Sequence, residues 1–479
     1  MTWREYHNFT KHTAEKLRRT QHFLDWANMP DPFRHYEGVP VLDLPADPPE
    51  PGTTLVADGP TFLSQLLFYS AAISASKLVP STGYRYALRV NPSSGNLHPT
   101  EFHFVTRGLK QWPDGLYHYR PSSHMAEQRM TGDLPIPPSD DSSPLTFILT
   151  SIAWREAWKY RDRAYRYCLH DMGHAWEALA LAARAMDCET FAYGCFPDDE
   201  IAQACRLNAD EWPMLVVQIR GAIPRGERHG GAVIWHGGQA NPLSTEPIVY
   251  APIEEMHAVT KLIVACEADA GAPAQGSGEI QLSAPDSSAR AFGEVARTRR
   301  SALDFRGGDQ SITLAQLSAI LAAASRPFAA DFSDQRFVHL YLYAHRVDGL
   351  DPGVYRYWSS SVQLECVRSG DQRVAAAGLS LGQDLAGNAC IAFSMIADLD
   401  RATRMHGDRG YRYAHFEAGA IGQRLYIAAE SLGLGATGIG AFFDDEVHGY
   451  LDIPPEQGQV IYHFAIGYPV PDPRLEARI

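Results

Sequence analysis

The chain of 479 residues carries an internal repeat, and this constrains its fold more than any composition figure. Asp162-Arg163-Ala164-Tyr165-Arg166-Tyr167 returns 246 residues later as Asp408-Arg409-Gly410-Tyr411-Arg412-Tyr413. The same offset carries Phe196, Asp198, Asp199 and Glu200 onto Phe442, Asp444, Asp445 and Glu446, and Gly221 onto Gly467, so about 60 residues align without a gap. Earlier, Gly115-Leu116-Tyr117-His118-Tyr119 answers Gly353-Val354-Tyr355-Arg356-Tyr357 at an offset of 238. Length alone, at about 150 residues per domain, allows three domains. The repeat instead predicts two related halves.

The longest repeated segment reads as a helix. Cys168, Met172, Ala175, Leu179, Ala182 and Met186 follow a 4-3-4-3-4 spacing that puts them on one face, and Ala414, Ala418, Ile421, Leu425, Ala428 and Leu432 repeat it. Two such faces predict packing of one helix on the other across a pseudo-two-fold axis, with burial of each helix on its own sheet as the competing arrangement. Strands are expected at residues 102–105, 214–219, 337–343 and 460–466, which are rich in branched and aromatic residues. Both halves therefore read as α+β. Residues 268–289, rich in Gly, Ala, Ser and Pro, read as a flexible linker. The expected division is 1–225 for the first half with an N-terminal extension, 226–289 for a connecting segment and 290–479 for the second half.

Composition excludes several classes of function. Lys and Arg number 42 against 56 Asp and Glu, a net charge of −14, which repels phosphate backbones and argues against general nucleic-acid binding. An anionic ligand would need a local arginine cluster. Seven cysteines, an odd number with no CxxC pair, argue for a reducing cytoplasm and against a disulfide framework or structural zinc. The polar start, Met1-Thr2-Trp3-Arg4-Glu5-Tyr6-His7, lacks a hydrophobic signal region, and no apolar run reaches membrane-spanning length.

Chemistry is sought where the halves differ. Residues 89–101 of the first half include Pro92-Ser93-Ser94-Gly95-Asn96-Leu97-His98-Pro99, hydroxyls, amides and a glycine suited to close contact with a planar polar ligand or a phosphate. The matching stretch, Ala330 to Phe337, keeps none of this motif. Conversely, Arg297-Thr298-Arg299-Arg300-Ser301 opens the second half, and its counterpart near Asp47 is only Pro- and Asp-rich. Each half has lost what the other kept.

The Arg-Arg-Ser element before Phe305, the Pro-Ser-Ser-Gly-Asn-Leu-His-Pro loop and Gly438-Ile439-Gly440-Ala441-Phe442 resemble the FMN-dependent nitroreductase superfamily. More closely, with the Tyr6-His7-Asn8-Phe9-Thr10-Lys11-His12 opening and the closing Gly467-Tyr468-Pro469, the chain is similar to its SagB-type dehydrogenase and thiazoline/oxazoline oxidase branch. The resemblance implies two nitroreductase-like domains forming an intramolecular pseudo-dimer, with FMN in their interface. Arg299, Arg300, Ser301 and Gly438, Ile439, Gly440, Ala441 would come from one half. Pro92, Ser93, Ser94, Gly95 and Asn96 would come from the other. The pieces complete one site, so one FMN per chain is expected. Leu303 stands where relatives often place a basic residue, leaving phosphate binding to draw on Arg89 or on the late Arg474 and Arg478.

In azoline oxidases a Lys-Tyr pair before the central helix is catalytic, and the resemblance carries that role to Lys159 and Tyr160. The repeat aligns these with Met405 and His406, so only the first half keeps the pair. Hydride removal requires proton removal elsewhere, and a partly desolvated lysine can take that proton. His170 and His174, one helical turn apart, are expected to pack rather than to bind metal. Gly433 to Gly440 follows a helix, which excludes a Rossmann fingerprint. The alternatives are an NAD(P)H-dependent nitro or quinone reductase and a non-catalytic partner subunit of a peptide-modification complex. The expected partners are a small-molecule or modified-peptide substrate and NAD(P)H or O2 as redox partner, without nucleic acid or membrane; a monomer suffices for the site.

Overall fold

The computed structural model describes all residues except 20–22, 82, 137–142, 229–231, 265–274, 333–335 and 478–479. The first half begins with helix α1 (Trp3–Phe9), started by a capping box in which Thr2 and Glu5 each accept from the other's backbone N–H. A hairpin follows, β1 (Ile73–Val79) and β2 (Tyr84–Arg89), then β3 (Thr100–Thr106), β4 (Gly115–Arg120), β5 (Met125–Thr131) and β6 (Leu145–Ser151). Helices α2 (Ala153–Tyr160) and α3 (Ala164–Ala185), then β7 (Cys188–Tyr193) and β8 (Trp212–Gly221), complete it. The sheet runs β5-β4-β3-β6-β8-β7, every pair antiparallel.

The second half repeats this order. Helix α4 (Phe292–Thr298) leads to β9 (Val338–Ala344), β10 (Gly353–Trp358), β11 (Gln363–Ser369) and β12 (Ile391–Ala397). Helices α5 (Leu399–His406) and α6 (Gly410–Ser431) precede β13 (Gly435–Ile439) and β14 (Gln459–Gly467). Its sheet runs β11-β10-β9-β12-β14-β13, the same antiparallel path. The expected strands and both long helices lie where the sequence pattern put them. A C-terminal strand, β15 (Leu475–Ala477), crosses back to pair with β1 of the first half.

The central helices α3 and α6 are buried around most of their circumference. They pack on each other and each also covers its own sheet, so the two arrangements open from the sequence hold together. At the crossing, a Cβ on Gly173 would meet the Gly419 Cα at 2.9 Å, and one on Gly419 would meet the Gly173 Cα at 3.0 Å. These glycines are repeat mates, and a side chain on either would push the helices apart.

Burying the whole helix buries its charges, which must then be paired. Arg163, just before α3, and Arg166 within it reach Asp444 of the second half at 3.0 and 2.8 Å. Their mates, Arg409 just before α6 and Arg412 within it, reach Asp198 of the first half at 2.5 and 2.8 Å. Burial would raise the Asp444 pKa, but the two guanidinium groups outweigh it and hold it at about 2.

The connecting region is not bare chain. Ile280–Gln281 forms a short strand on β11, and residues 251–260 form a helix. That helix does for Asp198 what α1 does for Asp444. Arg163 and Arg166 donate to the carbonyls of Thr10 and His7, and Arg409 and Arg412 donate to those of Thr260 and His257. Lys11 pairs with Asp445 at 2.7 Å and Lys261 with Asp199 at 2.6 Å. The repeat therefore reaches back to about residue 251, into the stretch assigned to the connection. Cys195 is disulfide-bonded, whereas Cys168, Cys188, Cys205, Cys366 and Cys390 are free. Among the described residues no helix is long and apolar enough to cross a membrane.

Candidate functional site

A cavity of about 630 Å³ opens between the halves, and every site residue selected from the sequence lines it: Pro92 to Asn96, Lys159 and Tyr160 from the first half, Arg299 to Ser301 and Gly438 to Ala441 from the second. The Arg-Arg-Ser element leaves the end of α4 and docks on β13. Ser301 bridges Ala436 in parallel, and the Ala302 N–H donates to the Ala436 carbonyl at 2.9 Å. Tyr426 of α6 ties these pieces together, its hydroxyl lying 2.8 Å from Ser301 Oγ and accepting from the Gly438 N–H at 2.9 Å.

Arg299 is buried, lies over the Tyr426 ring and donates to the carbonyls of Val90 and Arg89 at 3.0 and 3.2 Å. Among the described residues its Nη1 has no acceptor. Burial lowers its pKa. Arg89 lines the same cavity with Nε and Nη1 likewise unpartnered, and burial lowers its pKa to about 10. Guanidinium groups with open donors in a desolvated cavity suit an anionic, hydrogen-bond-accepting ligand. Arg300 instead turns to backbone carbonyls, Ser74 among them at 3.1 Å. Arg474 pairs with Asp472 at 2.8 Å, and Arg478 lies outside the described residues.

The Pro-Ser-Ser loop is held from below. Ser94 donates through its N–H and its hydroxyl to Asp171 of α3 at 3.1 Å. Gly95 takes a left-handed φ of 59°, and a Cβ there would lie 2.8 Å from Tyr160 Oη and 3.1 Å from Lys159 Nζ. The loop therefore rests on the heads of the Lys-Tyr pair. Lys159 Nζ lies 5.3 Å from the Tyr160 ring centre, and Tyr160 packs on Tyr167 with ring centres 4.3 Å apart. Burial first, then the nearby Glu156, Tyr167 and Asp171, pushes the Tyr160 pKa far up, so its hydroxyl stays protonated.

Residues outside the sequence selection complete the walls: Tyr167, Asp171, His174, Tyr426 and Tyr462 from the core, and Trp26, Lys77, Tyr84 and Tyr86 toward the rim. His170 packs as expected, stacked on Tyr462 at 4.4 Å. His174 does more than pack. It lines the cavity and its Nε2 lies 3.1 Å from Tyr462 Oη, while burial lowers its pKa to about 3 and keeps it neutral.

At the mirror position the chain fills its own space. Residues 329–331 bridge Ala192 of β7, and the Asp331 carboxylate accepts from the N–H groups of Gly194 and Cys195 at 2.8 and 3.1 Å. These are the repeat mates of Gly440 and Ala441. Phe332 stacks on Tyr413, the mate of Tyr167, at 4.3 Å. The deeper end leaves a polar pocket of about 380 Å³, where Arg424 is neutralised by Glu177 at 2.8 Å.

Two α+β domains in tandem form a pseudo-dimer that shares an arginine-lined interface cavity. The nitroreductase family matches residues 71–221 and 296–468, and the chain belongs to that family. A nitroreductase-family protein of Methanocaldococcus jannaschii is 36% identical over 184 residues, spanning 36% of this chain and 90% of that protein. A solved nitroreductase-family structure from Anabaena variabilis superposes with a TM-score of 0.78 at 26% identity, covering 98% of this chain and 99% of its own. A smaller one from Ralstonia eutropha covers 44% of this chain with a TM-score of 0.30.

Proposed function

We propose that this protein is an FMN-dependent oxidoreductase of the SagB-type and azoline-oxidase kind, dehydrogenating a small heterocycle or a modified peptide at one composite flavin site. One contrast carries the reading. The pieces that the halves kept separately line one cavity with open guanidinium donors, while the mirror position is filled by Asp331 and Phe332. Arg299, with Arg89, would hold the anionic parts of the cofactor. Ser301 and residues 438–441 would border it from the second half, and Pro92 to Asn96 from the first. When bound there, FMN supplies a hydride acceptor at N5. Lys159 then takes the proton that the substrate loses, and Tyr160, kept protonated by burial, donates a hydrogen bond that orients it. The aromatic walls exclude water from the reacting atoms.

Flavin absorbance and released FMN in the purified protein test this reading, at an expected stoichiometry of about one per chain. Protein that stays colourless with FMN added overturns it. Conversion of the probe 2-phenyl-2-thiazoline to the thiazole, with O2 consumed, is the expected activity. Rapid bleaching by NAD(P)H without turnover of the probe would point instead to a nitro or quinone reductase. Flavin bound with neither activity would point to a partner subunit.

A further inference from the structure

Glu156 and Asp171 are two buried acids with too few donors between them. Glu156, on α2, accepts from Ser93 Oγ at 3.4 Å, and among the described residues its Oε2 has no donor. Asp171, on α3, accepts from the N–H and hydroxyl of Ser94, from the Ser93 hydroxyl and from the acid beside it, because the two carboxyl groups lie in hydrogen-bonding contact. Two ionised carboxylates in contact repel, so contact requires a proton between them. Burial acts the same way, raising Asp171 to about 6 and Glu156 well above the carboxylate range.

The pair exists on one side of the molecule only. The repeat mate of Glu156 is Ala402, and the mate of Asp171, Glu417, gives its oxygens to the N–H groups of Phe337 and Val338 at 2.9 and 3.2 Å. Lys159 and Tyr160 follow Glu156 by three and four residues, on the same face of α2. The titratable groups facing the pair are those two, Cys168 of α3 and Tyr462 of β14. Lys159 favours the ionised form of Glu156; the other three are held neutral by burial first and by the pair's negative charge second, with Tyr426 ahead of Asp171 at Tyr462.

We propose that Glu156 and Asp171 share one proton beneath the Ser93–Ser94 loop and form the reservoir that accepts the proton Lys159 takes up during turnover. The inference rests on the role proposed for Lys159. The substrate proton converts the Lys159 amine to an ammonium. Passing it on converts the singly protonated pair to a doubly protonated one and returns the amine, and the pair then releases a proton to solvent. The electron pair leaves with the hydride, as in the proposed reaction. Glu156 does not line the cavity, so it is a positioning and proton-holding residue.

Infrared spectroscopy of the FMN-loaded protein reads the shared proton directly. A protonated-carboxyl C=O band is expected at neutral pH, shifted in D2O and absent from Glu156→Gln, with Asp171→Asn as the second variant should the first not fold. Replacing Lys159 by Met should raise the midpoint of that band by about one pH unit. Wild-type protein without the band, or a midpoint unmoved by Lys159→Met, overturns the proposal. With 2-phenyl-2-thiazoline, Glu156→Gln should lower kcat about tenfold and leave KM and FMN content unchanged; an unchanged kcat also overturns it. Colourless protein would remove the flavin reading while the band still reported the shared proton, and yellow protein without the band would remove the reservoir alone.

Discussion

The two ends of the pseudo-two-fold interface began as the same site and now solve opposite problems. At the cavity, Arg299 is buried with an open donor, and Gln423 stands one residue before Arg424 where the other half has Glu177. At the mirror position, Arg424 donates to backbone carbonyls of residues 326 and 327 and is paired with Glu177. One arginine lacks an anion and the other has an internal one. The backbone N–H groups differ in the same way, since Asp331 takes those of Gly194 and Cys195 while Gly440 and Ala441 border open space. A site that satisfies its own donors gains stability and loses its ligand, because the ligand would have to displace a carboxylate already in place.

The part that both ends retain should be the most costly to break. Asp444→Ala strands Arg163 and Arg166, Asp198→Ala strands Arg409 and Arg412, and each should cost about 3–5 kcal/mol by chemical denaturation. The carboxylate of Asp444 is held at about 2, below the roughly 3.9 of an unfolded chain. Its contribution is therefore complete above about pH 4 and disappears as pH falls through about 2. Asp444→Asn should flatten that acid limb of the stability profile. Equal effects of the two alanine variants would confirm that the frame stayed symmetric while the sites diverged.

The sites themselves separate in the next comparison. Arg424→Ala leaves Glu177 buried without its partner and should cost about 3–5 kcal/mol, with FMN content unchanged. Arg299→Ala removes a buried charge that no carboxylate pairs, so it should be tolerated better by the fold. It should nevertheless weaken FMN binding by about 1.5–3 kcal/mol, roughly 10- to 150-fold, read by equilibrium dialysis. Equal FMN loss in the two variants would mean that both ends still bind cofactor.

These contrasts show which parts of the molecule were legible in sequence. The repeat at offset 246 gave the paired helices and both sheets, because apolar spacing and turn residues are local. It also marked the cavity, since a motif kept in one half and lost in the other is visible by subtraction. Asp331 and Phe332 escaped because a plug has no signature of its own; it is recognised only by what it touches. Glu156 and Asp171 escaped because their meeting depends on how α2 and α3 cross. One missed signal was present: His7, Thr10 and Lys11 return as His257, Thr260 and Lys261 at an offset of 250. A change of four residues from the main offset hid it inside the stretch assigned to the connection.

The smallest effect separates strain from function. Gly95 and Gly407 both have positive φ, 59° and 58°. Gly95, with ψ of 8°, lies near the left-handed helical region, where alanine should cost about 1–2 kcal/mol. Gly407, with ψ of −160°, lies in a region kept almost to glycine, where alanine should cost about 1–3 kcal/mol. Gly407 has open space around its missing Cβ, whereas a Cβ added at Gly95 would press on Tyr160 Oη and Lys159 Nζ. Those atoms end flexible side chains and can give way, so Gly95→Ala should fold at least as well as Gly407→Ala. What moves is the geometry of the Lys-Tyr pair. Gly407→Ala sits beside His406 and Met405, the mates that lost the chemistry, and should leave turnover of the thiazoline probe unchanged. Gly95→Ala should reduce kcat several-fold, by about 1 kcal/mol of barrier, while its thermal stability is no lower than that of Gly407→Ala. If both variants lost only stability, the loop would be a lid over the pair without setting its position.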